Sequence, residues 1–94
     1  MILQAIVTKY LGPTDRRGSR VKAYAAAGYI IHNWDSSLGS DANHTAAAKA
    51  LATRSGWAGA WYGGGMPDGR GNVYVCTESR HGQAEPAFII ERQA

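Results

Sequence analysis

The first ten residues have the side-chain composition of a β-strand. Ile2 to Tyr10 is rich in Ile, Val, Thr and Tyr, the residues that strands favour. Successive side chains of a strand point to opposite faces, so Leu3, Ala5 and Val7 share one face of the predicted strand. The other face carries Gln4, Ile6, Thr8 and Tyr10.

Two further strands are predicted after a turn-rich segment. Leu11 to Ser19 contains Gly-Pro-Thr-Asp and a later Gly18, which indicates a surface loop. Arg20 to Ala26 alternates cleanly between apolar and polar positions, as half-buried strands do. A turn at Ala27-Gly28 then leads into a third strand over Tyr29 to Trp34. The second strand carries Val21, Ala23 and Ala25 on one face and Arg20, Lys22 and Tyr24 on the other.

The middle of the chain predicts one helix, from about Asp41 to Ser55. Ser40 or Asp41 is placed to act as the N-cap, because short polar side chains accept hydrogen bonds from the free first-turn amides. Gly56 is placed to end the helix in a left-handed conformation. The face expected to be buried has i, i+3, i+4 spacing and consists of Ala47, Ala48 and Leu51.

The rest of the chain returns to strands. A fourth strand is predicted over Ala58 to Tyr62, a glycine-rich loop over Gly63 to Gly71, and a fifth strand over Asn72 to Thr77. Ala87 to Glu91 is a possible additional edge strand. The prediction is a single α+β domain over residues 1–94, in which one helix packs on a mainly antiparallel sheet of about five strands in the order β-β-β-α-β-β.

Length and composition limit what this domain can be. Its 94 residues provide for one core, and no apolar run approaches the roughly 20 residues of a membrane helix. Cys76 is the only cysteine, so no internal disulfide can form, which is typical of a reducing compartment. With no basic leader before the first strand, the chain is expected to be cytoplasmic and to have no membrane partner.

The residue types that carry catalysis or bind metals do not form a recognised motif. The loop Gly63 to Gly71 lacks the pattern of a phosphate-binding loop. Asp41 and His44 could share a metal ion at i, i+3 spacing, or they could be ordinary polar surface residues. Cys76 is expected to be buried and unreactive. The remaining candidates also match no catalytic or metal-binding motif; they are His32, His81, Asp35, Glu78 and Glu85. We therefore predict a protein that is not an enzyme and has no metal or cofactor.

Basic and aromatic residues concentrate near the N-terminus. Residues 1–34 contain five basic residues and only one acidic residue, Asp15, whereas residues 35–94 contain five basic and six acidic residues. A basic strand face with an aromatic side chain suits an acidic protein surface or a nucleic acid, although it could also be a solvated face. The predicted partner-binding residues are Lys9, Arg16, Arg17, Arg20, Lys22 and Tyr24.

Three stretches of the chain resemble a known group of proteins. They are residues 4–14 with 17–23 (QAIVTKYLGPT and RGSRVKA), residues 41–48 (DANHTAAA) and residues 63–69 (GGGMPDG). Over roughly residues 4–75 the chain resembles small, mostly uncharacterised proteins of bacteriophages and mobile elements in proteobacteria. That resemblance carries no catalytic motif and transfers no site residue.

The resemblance implies a role in the infected bacterial host. Phage proteins of this size often inhibit bacterial defence, so the expected function is that of an anti-CRISPR protein that binds a CRISPR-Cas effector without catalysis. Because the chain is basic, it is not expected to mimic nucleic acid. The alternative is a basic nucleic-acid-binding accessory protein of a phage or mobile element.

Overall fold

A computed structural model describes residues 5–77 and 85–91 and confirms the α+β class. The predicted strand start at Ile2–Gln4 and the predicted candidates Glu78 and His81 lie outside the described residues. The sheet has six strands rather than five, because the possible C-terminal edge strand does form. The elements are β1 (Ile6–Leu11), β2 (Arg20–Ala25), β3 (Gly28–Asn33), α1 (Ser40–Ser55), β4 (Gly59–Gly65), β5 (Asn72–Thr77) and β6 (Phe88–Ile90).

The strands form one antiparallel sheet in the order β3-β2-β1-β5-β4-β6. Strand β1 lies in the interior of the sheet, where Ile6 pairs with Tyr74 and Val7 with Val73 of β5. Helix α1 carries the chain from β3, at one edge, to β4 on the far side of β1 and β5. Strands β1 and β5, which are far apart in the sequence, are therefore neighbours at the centre of the sheet.

The core lies between α1 and one face of the sheet. The predicted helix face is buried, and small alanine side chains let the helix approach the strands closely. The alternation of β2 is also confirmed, since Val21 and Ala23 are fully buried. In β1 the buried pair is Ile6 and Thr8, so the core includes a polar side chain. The buried apolar residues are Ile6, Val21, Ala23, Ala47, Ala48, Leu51, Ala52, Trp61, Tyr74 and Phe88.

The predicted N-cap at Ser40 or Asp41 is wrong. The helix begins one residue earlier than predicted, its N-cap is Gly39, and no side chain caps it. The buried amide of Asn43 ties down this end of the helix instead. It donates to the carbonyl oxygens of Gly39 and Asp35, both at 3.0 Å, and its own oxygen accepts the N–H of Asp35 at 2.8 Å. These bonds satisfy the Asn43 side chain, which is necessary for a polar group with no exposed surface.

The predicted helix C-terminus is confirmed. Gly56 adopts φ 71° and ψ 26°, a left-handed conformation that is costly for residues with a Cβ. Its N–H donates to the carbonyl oxygen of Thr53 at 3.2 Å, and the N–H of Trp57 donates to that of Ala52 at 3.0 Å. This pair of bonds satisfies carbonyl groups that would otherwise be free at the helix end.

Gly63, Gly64 and Gly65 belong to β4, not to the predicted loop. All three pair with β5, which restricts the loop between the strands to residues 66–71. Gly63 is needed because a Cβ there would lie 2.8 Å from Cε1 of the buried Tyr74. Gly63 therefore makes room for an aromatic side chain, whereas a Cβ at Gly64 or Gly65 would meet no atom within 4 Å.

Candidate functional site

The candidate site is the face of the sheet opposite α1, called here the open face. Val21 and Ala23 of β2 point toward the helix, so Arg20, Lys22 and Tyr24 point away from it. Lys9 of β1 pairs with Lys22 and lies on the same face. Four of the six predicted partner-binding residues are thus together on the open face.

Lys22 is held between two tyrosines on this face. Its ammonium group lies 4.9 Å from the ring centroid of Tyr29 and 5.5 Å from that of Tyr24. Tyr24 and Tyr29 are directly opposite each other in β2 and β3, and their side chains are 38% and 57% exposed. Each cation–π contact of this kind contributes about 0.5–1 kcal/mol at an exposed site, so Lys22 is ordered without an acidic partner.

The other two predicted residues, Arg16 and Arg17, lie in the loop between β1 and β2. Both are exposed, and the hydroxyl of Thr14 organises their backbone by accepting the N–H of Arg17 at 3.1 Å and that of Arg16 at 3.4 Å. Arg20 bridges the loop and the sheet, because its Nε donates to the carbonyl oxygen of Gly18 at 3.2 Å. The two loop arginines adjoin one end of the open face rather than lying on it.

Apolar side chains next to these cations are a part of the face that the sequence did not reveal. The pairing of β3, β2, β1 and β5 produces one row across the sheet, made of Tyr29, Tyr24, Val7 and Val73. Val75 and Ile89 extend the apolar surface toward β6 and are 49% and 38% exposed. Val73, Val75 and Ile89 were missed because they reach this face only through pairing between strands far apart in the sequence. Val7 and Tyr29 lie on β1 and β3, next to the predicted residues, and were not included among them.

The open face carries no carboxylate in the part of the chain that the structure describes. No Asp or Glu occurs in any of the six strands. None of the cations at Lys9, Arg16, Arg17, Arg20 or Lys22 forms an ion pair with a described residue. The positive charge is therefore available to a partner. The described acidic residues lie in loops, in the first turn of α1 or after β6, and they are Asp15, Asp35, Asp41, Asp68, Glu85 and Glu91.

His44 is not the polar surface residue that the sequence suggested as an alternative to a metal ligand. It is 5% exposed and lies on the helix side of the sheet, with Nδ1 at 2.7 Å from the hydroxyl oxygen of Thr8. Its ring lies perpendicular to that of Trp34, at a centroid distance of 6.4 Å. Burial lowers the pKa of His44, and the negative charge of Asp41 opposes this shift in part.

The lowered pKa of His44 predicts a loss of stability in mild acid. The unfolded chain takes up this proton near pH 6.5, whereas the folded chain takes it up only at lower pH. The contribution is complete above about pH 6.5 and decreases as the pH falls toward the folded pKa, because the unfolded state then binds more protons. Urea titrations between pH 7.5 and 5 should show this decrease. The same titrations of His44→Gln should show a shallower one, and parallel curves for the two proteins would contradict the assignment.

Cys76 was predicted to be buried, but it is only partly buried. Its Sγ lies 3.7 Å from the carbonyl oxygen of Ala58, against the edge of the core. Asp41 and His44 are not joined by a third ligand, and no group of three or more His, Cys, Asp or Glu side chains comes together within residues 5–77 and 85–91. Among these residues no helix is long and apolar enough to cross a membrane.

Neither a protein-family model, nor a curated protein, nor a solved structure matches this chain.

Proposed function

We propose that the protein is a non-enzymatic inhibitor that binds a host defence complex through its open face. The observation that carries the proposal is the composition of that face, where exposed apolar side chains adjoin unpaired cations and no carboxylate is described. Protein-binding surfaces have this arrangement of an apolar centre with a polar rim. Arg20, Lys22 and the loop arginines would meet acidic residues of the partner.

The proposed partner is the protein surface of a CRISPR-Cas effector in the cytoplasm of the infected bacterium. Support for this identity comes from the resemblance of residues 4–75 to phage and mobile-element proteins. The charge of the open face supports an acidic patch on the effector as the surface that is bound. A positively charged face is unsuited to imitating DNA or RNA, so inhibition would occur by covering protein surface or by contacting guide or target nucleic acid.

The double variant Arg17→Glu/Arg20→Glu tests the proposal. Arg17 is exposed, and Arg20 is only partly buried and forms no ion pair with a described residue, so the melting temperature of the variant should stay within a few degrees of the parent's. Binding to a purified effector should weaken by about tenfold or more, mainly through slower association, because like charges would then face each other. Surface plasmon resonance measures both rates, and a CRISPR interference assay measures inhibition.

Lys49→Glu is the matched control, because Lys49 is exposed on α1, on the opposite side of the sheet. It should bind and inhibit like the parent. If the double variant is folded and binds as well as Lys49→Glu, the basic residues are only a solvated face. If the parent binds no effector at all, the inhibitor function is wrong.

A specific observation also favours the alternative function, binding of single-stranded nucleic acid. Tyr24 and Tyr29 are exposed beside Lys22, and bases stack on such rings while cations contact phosphates. Fluorescence anisotropy with single-stranded DNA and RNA distinguishes the two functions. Affinity that falls steeply with salt and is lost in Tyr24→Ala/Tyr29→Ala would support the nucleic-acid function.

A further inference from the structure

A cavity of about 460 Å³ opens at one end of the sheet, between the end of β1, the first turn of α1 and the loop that joins β4 to β5. Small-molecule sites typically occupy roughly 300–1,000 Å³. Its lining is mostly polar, unlike the open face. The side chains that could contact a ligand there are Asp41, His44, Arg70 and Asn72.

His44 provides a hydrogen-bond acceptor at this cavity. The Thr8 hydroxyl oxygen has three polar neighbours, namely Nδ1 of His44 at 2.7 Å and the N–H and carbonyl oxygen of Asn72 at 3.1 and 3.3 Å. All three are satisfied if the hydroxyl donates to the carbonyl and accepts from the other two. Nδ1 then carries the ring proton, which leaves a lone pair on Nε2, and no described residue hydrogen-bonds that nitrogen.

Charges of opposite sign line different sides of the cavity. Arg70 provides a cation from the loop and forms no ion pair with a described residue. Asp41 provides a carboxylate from the helix. One of its oxygens accepts from the side-chain amide of Asn72 at 3.3 Å, so this amide links the two sides. A ligand that fits must combine a negatively charged group with hydrogen-bond donors.

We propose that this cavity binds a sugar phosphate. Arg70 contacts the phosphate group, and the sugar hydroxyls donate to Nε2 of His44 and to the Asp41 carboxylate. A phosphate bound by a guanidinium group gains charge-assisted hydrogen bonds, and the hydroxyls satisfy acceptors that the fold leaves free. The site does not depend on the proposed function, and none of the residues that carry it belongs to the open face.

The test is a titration of the whole protein with ribose 5-phosphate, followed by the ¹⁵N resonances of the His44 ring. The spectrum of the free protein should show a protonated Nδ1 and an unprotonated Nε2. Ribose 5-phosphate should shift the Nε2 resonance in a saturable manner, and ribose or inorganic phosphate alone should do so at least about tenfold more weakly. Arg70→Gln should also weaken binding by about tenfold, because it removes the charge-assisted contact to the phosphate. Lys49→Gln, which changes a cation outside the cavity, should leave binding unchanged.

Three results would overturn the proposal. One is the absence of any shift at His44 when ribose 5-phosphate is in large excess. Another is equal binding of inorganic phosphate, which would show an adventitious anion only. The third is unchanged binding by Arg70→Gln with a melting temperature equal to the parent's. None of these results bears on effector binding by Arg17→Glu/Arg20→Glu.

Discussion

Replacing Gly71 by alanine should destabilise the protein by about 3 kcal/mol or more. A Cβ at this position would overlap the backbone carbonyl oxygen of Thr8, and the Cα of Lys9 would be 3.5 Å away. Both obstacles are main-chain atoms of β1, so no side-chain rotation relieves the clash. The loop would have to move away from β1, weakening the interaction between Thr8 and Asn72 that joins β1 to β5. Chemical denaturation monitored by tryptophan fluorescence measures the loss.

Gly64→Ala is the matched control for Gly71→Ala. Gly64 lies in β4, where an added Cβ meets no atom within 4 Å. The change should be neutral or stabilising by up to about 1 kcal/mol, because alanine restricts the unfolded chain. A comparable loss in both variants would show that any side chain in this glycine-rich region is harmful. Full stability of Gly71→Ala would contradict the close contact between the loop and β1.

The local elements were predictable because each depends on neighbours in the sequence. Alternation in β2 identified its buried and exposed faces, and Gly56 identified the end of α1 through a conformation that favours glycine. The exception was Gly63 to Gly65, which look like a loop but form strand. Gly63 is required by the ring of Tyr74 on the neighbouring strand, and a single segment carries no information about its neighbour.

The candidate site was only half predictable. Lys9, Arg20, Lys22 and Tyr24 could be grouped because a hairpin between adjacent segments brings them together. Val73 could not be grouped with them, since it reaches the open face only through the pairing of β1 with β5, and no local pattern specifies that pairing. The contact between the buried Thr8 and His44 was missed for the same reason, because the two side chains are 36 positions apart in the sequence.

The side chain that joins the helix, the sheet and the edge strand is Trp61. It has no exposed surface and lies between two other rings, at 6.2 Å from that of Trp57 and 5.8 Å from that of Phe88. Its indole N–H donates to the carbonyl oxygen of Trp57 at 3.1 Å, just beyond the end of α1. Strand β6 has only three residues, and Phe88 is its buried side chain. The edge strand therefore depends on the stacking of Phe88 against Trp61.

Trp61→Ala should cost about 3–5 kcal/mol, the usual effect of removing a large buried aromatic side chain. For a domain of this size that is a large part of the total stability. Hydrogen exchange should show that the β6 amides lose protection first, because removing the Trp61 indole leaves an empty space against the ring of Phe88. Trp61→Phe keeps a ring in the stack and loses the hydrogen bond to Trp57, so it should cost much less and leave β6 protected. If Trp61→Ala costs under about 1 kcal/mol, or if β6 keeps its protection, the aromatic stack does not hold the edge strand in place.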